Sequence, residues 1–234
     1  MPLRKSIAFL LLAPVWLCAQ DIAKTYFVRT SGEATVTATP DRAQVSIGVL
    51  TEALSAQAAA SQNASQTSEV LAAVKGVMGA GGETKTTGYA ILPQYQYENG
   101  HPPKIRGYQA SNTVLVTLNE LALTGKVIDA ATSSGANNIN GISFSLRDDS
   151  SVRSQALADA TAKARRAAEA IAKALNVRIV GVLEAETAEA PIIRPLTRNF
   201  SVMAEAASQK VATPIEAGDL DVHASVTASF EIQR

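Results

Sequence analysis

LDVHASVTASFEI, residues 220–232, alternates between apolar and polar side chains from its first residue to its last. The apolar set is Leu220, Val222, Ala224, Val226, Ala228, Phe230 and Ile232, and the polar set is Asp221, His223, Ser225, Thr227, Ser229 and Glu231. Because successive side chains of a strand point to opposite faces of its sheet, this period of two predicts a strand with one buried and one solvated face. Sheets of such strands are typically antiparallel, with helices on the apolar face.

The segments 34–38 and 43–49, which flank Pro40-Asp41, alternate in the same way. Pro and Asp favour turns, so these two segments are predicted to form a β-hairpin. A second hairpin is predicted around the turn 98–103. Its strands are expected at about 85–97 and 108–118, and they carry Tyr89, Ile91, Tyr95, Tyr97 and Tyr108.

Three segments, 55–78, 121–134 and 151–175, show the three-to-four-residue spacing of amphipathic helices. The stripe expected to be buried in the first is Ala60, Ala64, Thr67, Leu71, Val74 and Met78. The stripe expected in the last, which is rich in small residues, is Ala156, Ala160, Ala164, Ala167, Ile171 and Ala174. The residues expected to end the three helices are Gly79, Gly135 and Asn176.

With further strands at 142–146 and 177–183, the pattern predicts an α+β fold. We expect a largely antiparallel sheet with about three helices packed on one face, in a single domain over residues 20–234. Residues 187–218 are the exception, because they contain three prolines, Pro191, Pro195 and Pro214, and no firm period. They are predicted to form a long irregular segment whose apolar side chains pack on a neighbouring subunit.

The N-terminus has the three parts of an export signal. Arg4 and Lys5 precede the apolar run 7–17, and small residues follow it. The run is shorter than the ~20 residues that span a bilayer, and no later segment is long enough. We therefore predict a cleavable signal peptide over residues 1–19, cut after Ala19, and a periplasmic mature chain without a transmembrane helix. Acylation of Cys18, as in a lipoprotein, is disfavoured because the bulky Trp16 and Leu17 precede it.

The charge of the mature chain bears on its partners. The full chain has a formal net charge of +0, and removal of Arg4 and Lys5 with the signal peptide lowers it by two, to −2. A nucleic-acid partner is therefore not expected, since it requires a clustered basic surface.

Two histidines are the first candidates for chemistry. His101 lies in the Pro-rich turn beside Glu98, with no further metal ligand near it in sequence, so an exposed loop histidine is the preferred interpretation. The row Asp221, His223, Ser225 has the residue types of a catalytic triad. Side chains at i, i+2 and i+4 of one strand stand parallel, whereas a triad must converge, so a solvated strand face is preferred.

Other candidates also have a structural interpretation. The glycines at 79, 81 and 82 follow a helix, whereas a phosphate-binding loop precedes one, so they are expected to end the helix. Asp148, Asp149 and Ser150 are expected to cap the helix that follows them. This role is preferred to calcium binding by the two aspartates. Tyr89, Tyr95, Tyr97 and Tyr108 are expected either to pack across the hairpin or to form an exposed aromatic face at a subunit contact.

Several short segments, in order, resemble the SIMPL domain family, in the group of YggE-like and periplasmic immunogenic proteins. They lie at 32–36, 40–43, 93–95, 107–112, 134–137, 141–146 and 174–177, so the resemblance covers about residues 30–232. It implies an exported protein of the periplasm or outer membrane, homo-oligomeric in ring-shaped assemblies in some members, and associated in some with protection from oxidative stress. It provides no catalytic set.

The sequence therefore predicts an exported, non-enzymatic envelope protein that forms homo-oligomers and has a structural or stress-protective role. No catalytic, cofactor-binding or metal-binding residue is predicted, and no cofactor. The alternative is a periplasmic binding module for a small molecule or envelope polymer, using the tyrosine hairpin or residues 187–218. A hydrolase acting through His223 is a third, disfavoured hypothesis.

Overall fold

The computed structural model describes residues 25–187, 192–195 and 213–234. Its β-strands are β1 (Phe27–Ala38), β2 (Arg42–Ala53), β3 (Gly82–Gln96), β4 (Lys104–Leu118), β5 (Asn138–Ser145), β6 (Arg178–Thr187), β7 (Ile192–Pro195) and β8 (Leu220–Gln233). Its α-helices are α1 (Ala56–Met78), α2 (Thr124–Ser133) and α3 (Ser150–Ala174). The predicted α+β class with antiparallel pairing is confirmed, but these strands form two sheets instead of one.

The terminal sheet joins the two ends of the described chain. Strand β8 lies at its centre, with β1 on one side and β6 and β7 in succession on the other, all antiparallel. The pairing of β1 with β8 runs without a shift from Phe27 opposite Glu231 to Ala38 opposite Leu220. The alternation in residues 220–232 is confirmed for most of its length, because Leu220, Val222 and Phe230 are buried and His223 is exposed. It is wrong at Ser229, which was predicted on the solvated face and is buried.

Helix α3 covers the apolar face of the terminal sheet with a row of buried alanines spaced by four residues: Ala156, Ala160, Ala164, Ala168 and Ala172. The first three members were predicted. The second half of the predicted stripe is wrong, and Ile171 is 40% exposed, because the helix keeps its four-residue spacing to its end. At Gly32 of β1, a Cβ atom would meet the backbone of Ala160 and Ala164. Strand and helix therefore approach more closely here than any larger residue would allow.

The central sheet is built from one continuous stretch, residues 42–145, and has the strand order β3-β4-β2-β5. Its elements follow in the order βαββαβ, with all neighbours antiparallel. This is the arrangement of a ferredoxin-like split βαβ unit. Its core contains Val45, Ile47, Val74, Leu118 and Val127, which come from both helices and two strands. Each of these side chains is no more than 1% exposed.

One polar side chain is fully buried under α1. Asn63 is 0% exposed and donates from Nδ2 to the carbonyl oxygens of Val49 (2.9 Å) and Ala110 (3.1 Å). The predicted stripe of α1 is wrong at Ala60, Ala64 and Leu71. At each of these places the structure buries the preceding residue, which is Ala59, Asn63 or Val70. A stripe chosen from apolar side chains passes over a buried asparagine.

The predicted hairpin at Pro40-Asp41 is also wrong. Strand β1 pairs with β8, and β2 pairs with β4 and β5, so the link between them carries the chain from one sheet to the other. Asp41 fixes this link, since its amide donates to the carbonyl oxygen of Ser145 (3.2 Å) and its carboxylate accepts from the amide of Arg147 (2.6 Å). Alternation identifies the buried face of a strand but not its partner.

The predicted helix ends agree with the structure. The Ser55 hydroxyl caps α1 by accepting from the amide of Ala58 (3.2 Å). Gly79, Gly135 and Asn176 have φ angles of 60°, 107° and 54°, the left-handed conformation that ends a helix.

The structure describes part of the predicted irregular segment 187–218. Within 187–218, Ile192–Pro195 forms β7 against β8, and Thr213 donates from its hydroxyl to Asp129 (2.7 Å) near the central core. Residues 188–191 and 196–212 lie outside the described residues. The predicted signal peptide, its cleavage site and Cys18 lie outside them too. Among the described helices, none combines the length and apolar character needed to cross a membrane.

Candidate functional site: the aromatic hairpin

Neither histidine forms an ion pair or a hydrogen bond with another ionisable side chain of the described residues. His223 Nδ1 lies 2.8 Å from the Thr35 hydroxyl, and Asp221 accepts from the Thr37 hydroxyl at 2.8 Å, both on the exposed face of the terminal sheet. His101 lies in the turn after β3, 3.4 Å from the carbonyl oxygen of Asn99. Asp221 and His223 therefore bond sideways to the next strand, and the row Asp221, His223, Ser225 does not converge on a point.

Asp148 precedes α3 and accepts a hydrogen bond from the Ser150 amide at 2.9 Å. The hydrogen bonds from the Ser150 side chain and backbone hold the pKa of Asp148 below its usual range, because they stabilise the carboxylate form. Across the described part of the chain, no three His, Cys, Asp or Glu residues lie close enough to hold a metal ion.

The β3–β4 hairpin is longer than the sheet to which it belongs. Strand β2 ends its pairing with β4 where Ala53 lies opposite Tyr108. Beyond that point β3 and β4 continue to pair only with each other, down to Gln96 opposite Lys104. A β-bulge between Gln94 and Tyr95 bends the projecting part. The hairpin thus extends past the edge of the central sheet as an arm.

The β3–β4 hairpin exposes large apolar side chains. On the arm the exposed fractions are 46% for Tyr95, 78% for Tyr97 and 51% for Ile105. Where the hairpin still lies beside β2, they are 55% for Tyr89 and 57% for Leu92. The rings of Tyr95 and Tyr97 lie 6.5 Å apart, but they are neighbours along one strand and not partners across the hairpin. Of the two predicted roles of these tyrosines, the exposed aromatic face is the one the structure shows for Tyr89, Tyr95 and Tyr97. Tyr108 is half-buried, opposite Pro93.

A cleft of about 310 Å³ lies where the arm leaves the sheet, and its lining is Glu52, Ala53, Leu54, Gln94, Arg106, Gly107 and Tyr108. The Glu52 carboxylate accepts from Gln109 at 3.1 Å and lies 4.0 Å from the Arg106 guanidinium. A Cβ atom on Gly107 would lie 2.9 Å from the Ala53 carbonyl oxygen, so glycine lets the arm pass close to the end of β2. The cleft combines an ion pair with one very exposed apolar residue, Leu54.

The sequence pattern found the tyrosines of this surface but missed Leu54, Leu92 and Ile105. The exposure of Leu54 and Ile105 depends on where β2 ends beside the longer hairpin, and no local spacing shows where a neighbouring strand stops. Leu92 lies on β3, an edge strand of the central sheet. Ser55, which caps α1, comes only two residues after Ala53. This helix cap is the sequence signal that could have located the end of β2.

Fold and surface together define an α+β protein of two antiparallel sheets, which presents a protruding aromatic arm with a cleft at its base. The chain matches the family model for SIMPL, "Protein of unknown function (DUF541)", over residues 28–230. It belongs to the SIMPL family, as its sequence motifs indicated.

Curated relatives agree with this assignment. The chain is 32% identical over 215 residues to the 26 kDa periplasmic immunogenic protein of Brucella melitensis biotype 1, covering 88% of this chain and 84% of that protein. It is 26% identical over 161 residues to the uncharacterized protein YggE of Edwardsiella ictaluri, covering 69% and 67%. The match to YggE of Escherichia coli K12 has the same identity and covers 69% and 65%.

Proposed function

We propose that this protein is an exported, non-enzymatic component of the bacterial cell envelope that assembles into homo-oligomers through its aromatic arm. The observation that supports this proposal is the set of exposed apolar side chains on the projecting hairpin. Exposed apolar surface with tyrosines is typical of protein–protein contacts, where its removal from water contributes roughly 25 cal/mol per Å².

A second apolar patch offers a surface to receive the arm. Strand β6 lies at an edge of the terminal sheet, and Val180, Val182 and Leu183 are 47%, 63% and 48% exposed. This patch is bordered by the exposed acids Glu184 and Glu186, whereas the arm carries the exposed bases Lys104 and Arg106. Opposite charges favour an encounter between unlike surfaces, so the arm of one copy is expected to dock on β6 of the next. A contact between unlike surfaces closes into a ring or continues as a filament.

Light scattering of the mature chain, residues 20–234, tests the assembly at micromolar concentration. We expect a mass several times that of one chain, and a monomer after the double substitution Tyr95→Ser and Tyr97→Ser. Ile142→Ser removes an exposed apolar side chain from a strand outside both patches and should leave the mass unchanged. A wild-type monomer at tens of micromolar would contradict the proposal.

Periplasmic location is supported by the Brucella relative, whose name describes a periplasmic protein, and by the predicted signal peptide. Cell fractionation and mass spectrometry of the purified chain test this part. The expected mature N-terminus is Gln20, whereas a diacylated Cys18 would show a lipoprotein instead. The protective role rests on the family resemblance alone, and unchanged peroxide survival in a deletion strain would remove it.

The cleft at the base of the arm supports one alternative, a binding module for a small molecule. Its volume of about 310 Å³ is at the lower end for ligand sites. A ligand that binds only the native state raises the melting temperature. Thermal shifts lost in Glu52→Gln, with the oligomer mass unchanged, would favour this function over assembly.

A further inference from the structure

A separate polar cleft lies at the other end of the central sheet, away from the aromatic arm. It has a volume of about 310 Å³, and its lining is Arg42, Gln44, Ala80, Gly82, Glu83, Thr117 and Asn119. These residues come from the start of β2, the end of β4 and the turn that leads from α1 into β3. The sequence pattern singled out none of the polar residues of this cleft as functional candidates. They are Arg42, Gln44, Glu83, Thr117 and Asn119.

Strand register explains why the polar side chains gather. Thr117 of β4 lies opposite Gln44 of β2 on one side and Glu83 of β3 on the other, so the three form one row across the sheet. Arg42 precedes Gln44 by two residues and therefore lies on the same face. Ala43 and Val45, which alternate with them, are buried on the opposite face under the helices. The cleft is thus on the face of the central sheet that no helix of this unit covers.

Arg42 is half-buried, and its Nε is enclosed without a hydrogen-bond acceptor anywhere in the described residues. No acidic side chain described in the structure lies within ion-pair distance of its guanidinium, although Glu83 lines the same cleft. Buried N–H groups in proteins almost always have an acceptor. A guanidinium presents its N–H groups in a plane that matches the two oxygens of a carboxylate. The guanidinium that lines the cleft without an acidic partner therefore has the chemistry to bind a small anion.

Glu83 restricts which anion fits. A dianion such as phosphate would be repelled by this carboxylate, whereas a ligand with its own N–H or O–H group would donate a hydrogen bond to it. The amides of Gln44 and Asn119 and the Thr117 hydroxyl supply further donors and acceptors around the same space. The arrangement offers one site for a carboxylate and one for a neighbouring ammonium or hydroxyl group.

We propose that this cleft binds a small carboxylate carrying an amino or hydroxyl group beside it, with the carboxylate on Arg42 and the donor on Glu83. The proposal concerns a surface distinct from the aromatic arm and does not depend on assembly. It adds small-molecule recognition, of the amino-acid or hydroxy-acid class, to a protein whose proposed role is structural.

Titrations of the ¹⁵N-labelled mature chain with glycine, lactate, acetate and phosphate test the proposal by NMR. We expect glycine and lactate to shift the amides of Gln44, Thr117 and Asn119 at millimolar concentration, with acetate at least fivefold weaker and phosphate without effect. Shifts with phosphate alone, or with none of the four probes, would overturn the proposal.

Variants assign the binding to the two charged groups. Arg42→Gln should weaken glycine binding at least tenfold, and the exposed Glu83→Gln should weaken glycine but not acetate. Arg165→Gln removes an exposed arginine of α3 that lines neither cleft, and it should leave glycine affinity unchanged. Amide spectra of each variant show whether it is folded. Because Glu83 is exposed, its variant keeps the test decisive even if Arg42→Gln is unstable. Glycine binding that survives both substitutions would contradict the assignment.

Discussion

The terminal and central sheets differ in how a helix packs against each of them. In the terminal sheet, the fully buried residues of α3 are all alanines, which contribute a methyl group each, roughly 0.8 kcal/mol on burial. In the central sheet, α1 presents Val70, Val74 and Met78, and burial of such side chains contributes roughly 1.5–3 kcal/mol each. The terminal sheet compensates by bringing helix and strand backbones together at Gly32, where the Thr30 hydroxyl donates to the Ala164 carbonyl oxygen at 2.7 Å.

The difference shows that a helix can be held on a sheet by close approach or by large interlocking side chains. The first arrangement has no room for an added atom, and the second loses most when atoms are removed. Added atoms should therefore destabilise the terminal unit most, and removed atoms should destabilise the central unit most. Substitutions of both kinds test this comparison.

Gly32→Val is expected to have the largest effect. Its side chain would strike the backbone of α3, which cannot rotate away as a side chain would. The cost should exceed the ~1–3 kcal/mol of ordinary overpacking, and the chain should be unfolded or aggregated at 25 °C by circular dichroism. Gly88→Ala is the control, because a Cβ there would meet the Thr113 Cβ at an ordinary 3.7 Å. A folded, stable Gly32→Val chain would mean that α3 is free to move away from β1.

Leu118→Ala tests the other half of the comparison. Leu118 is 1% exposed in the central core, and its loss should lower the free energy of unfolding by about 3 kcal/mol through the cavity that remains. Urea denaturation measures the change. Leu54→Ala removes the same atoms from a side chain that is 89% exposed and should have almost no effect. Equal effects of the two substitutions would show that the central core is not closely packed.

Asn63→Leu asks whether the buried amide stabilises the central unit. The substitution keeps the volume similar but leaves the carbonyl oxygens of Val49 and Ala110 without their side-chain donor. We expect a loss of about 2 kcal/mol in urea denaturation. Gln62→Leu, one residue earlier on the exposed face of α1, is the matched control. A stabilised Asn63→Leu chain would contradict a structural role for the amide.

Thr30→Val should have the smallest effect of the four. It removes the hydrogen bond to Ala164 while preserving the shape of the side chain, and the expected loss is about 1 kcal/mol. Thr35→Val makes the same change on the exposed face of β1, where the cost should be close to zero. If the two variants unfold at the same urea concentration, α3 is held by the alanine row alone.

The sequence pattern predicted the helices and strands better than it predicted which strands pair with each other. Residues 220–232, the three helices and the left-handed Asn176 follow from local spacing and backbone preference, and the structure has them where expected. The partner of β1 could not be predicted, because threonine–alanine alternation fits β8 as well as it fits β2. Asn63 was missed because its burial depends on two carbonyl oxygens that other strands supply.

The candidate surface was partly predictable for the same reason. Tyrosines in a hairpin are visible in the sequence, whereas the arm exists only because β2 ends at Ala53. The Arg42 cleft could not be predicted at all, since its residues come from three strands that are distant in sequence and brought into register by the sheet.

The pairing of Phe27 with Glu231 also dictates an order of events during synthesis of the chain. All four strands of the central sheet have been made once residue 145 has been added. Strand β1, which is made earlier, must then wait for the last residues of the chain before it can pair. Contacts between such distant parts of a chain form slowly. A nascent chain stopped before residue 220 should therefore hold a folded central sheet, with an unpaired β1 available to chaperones.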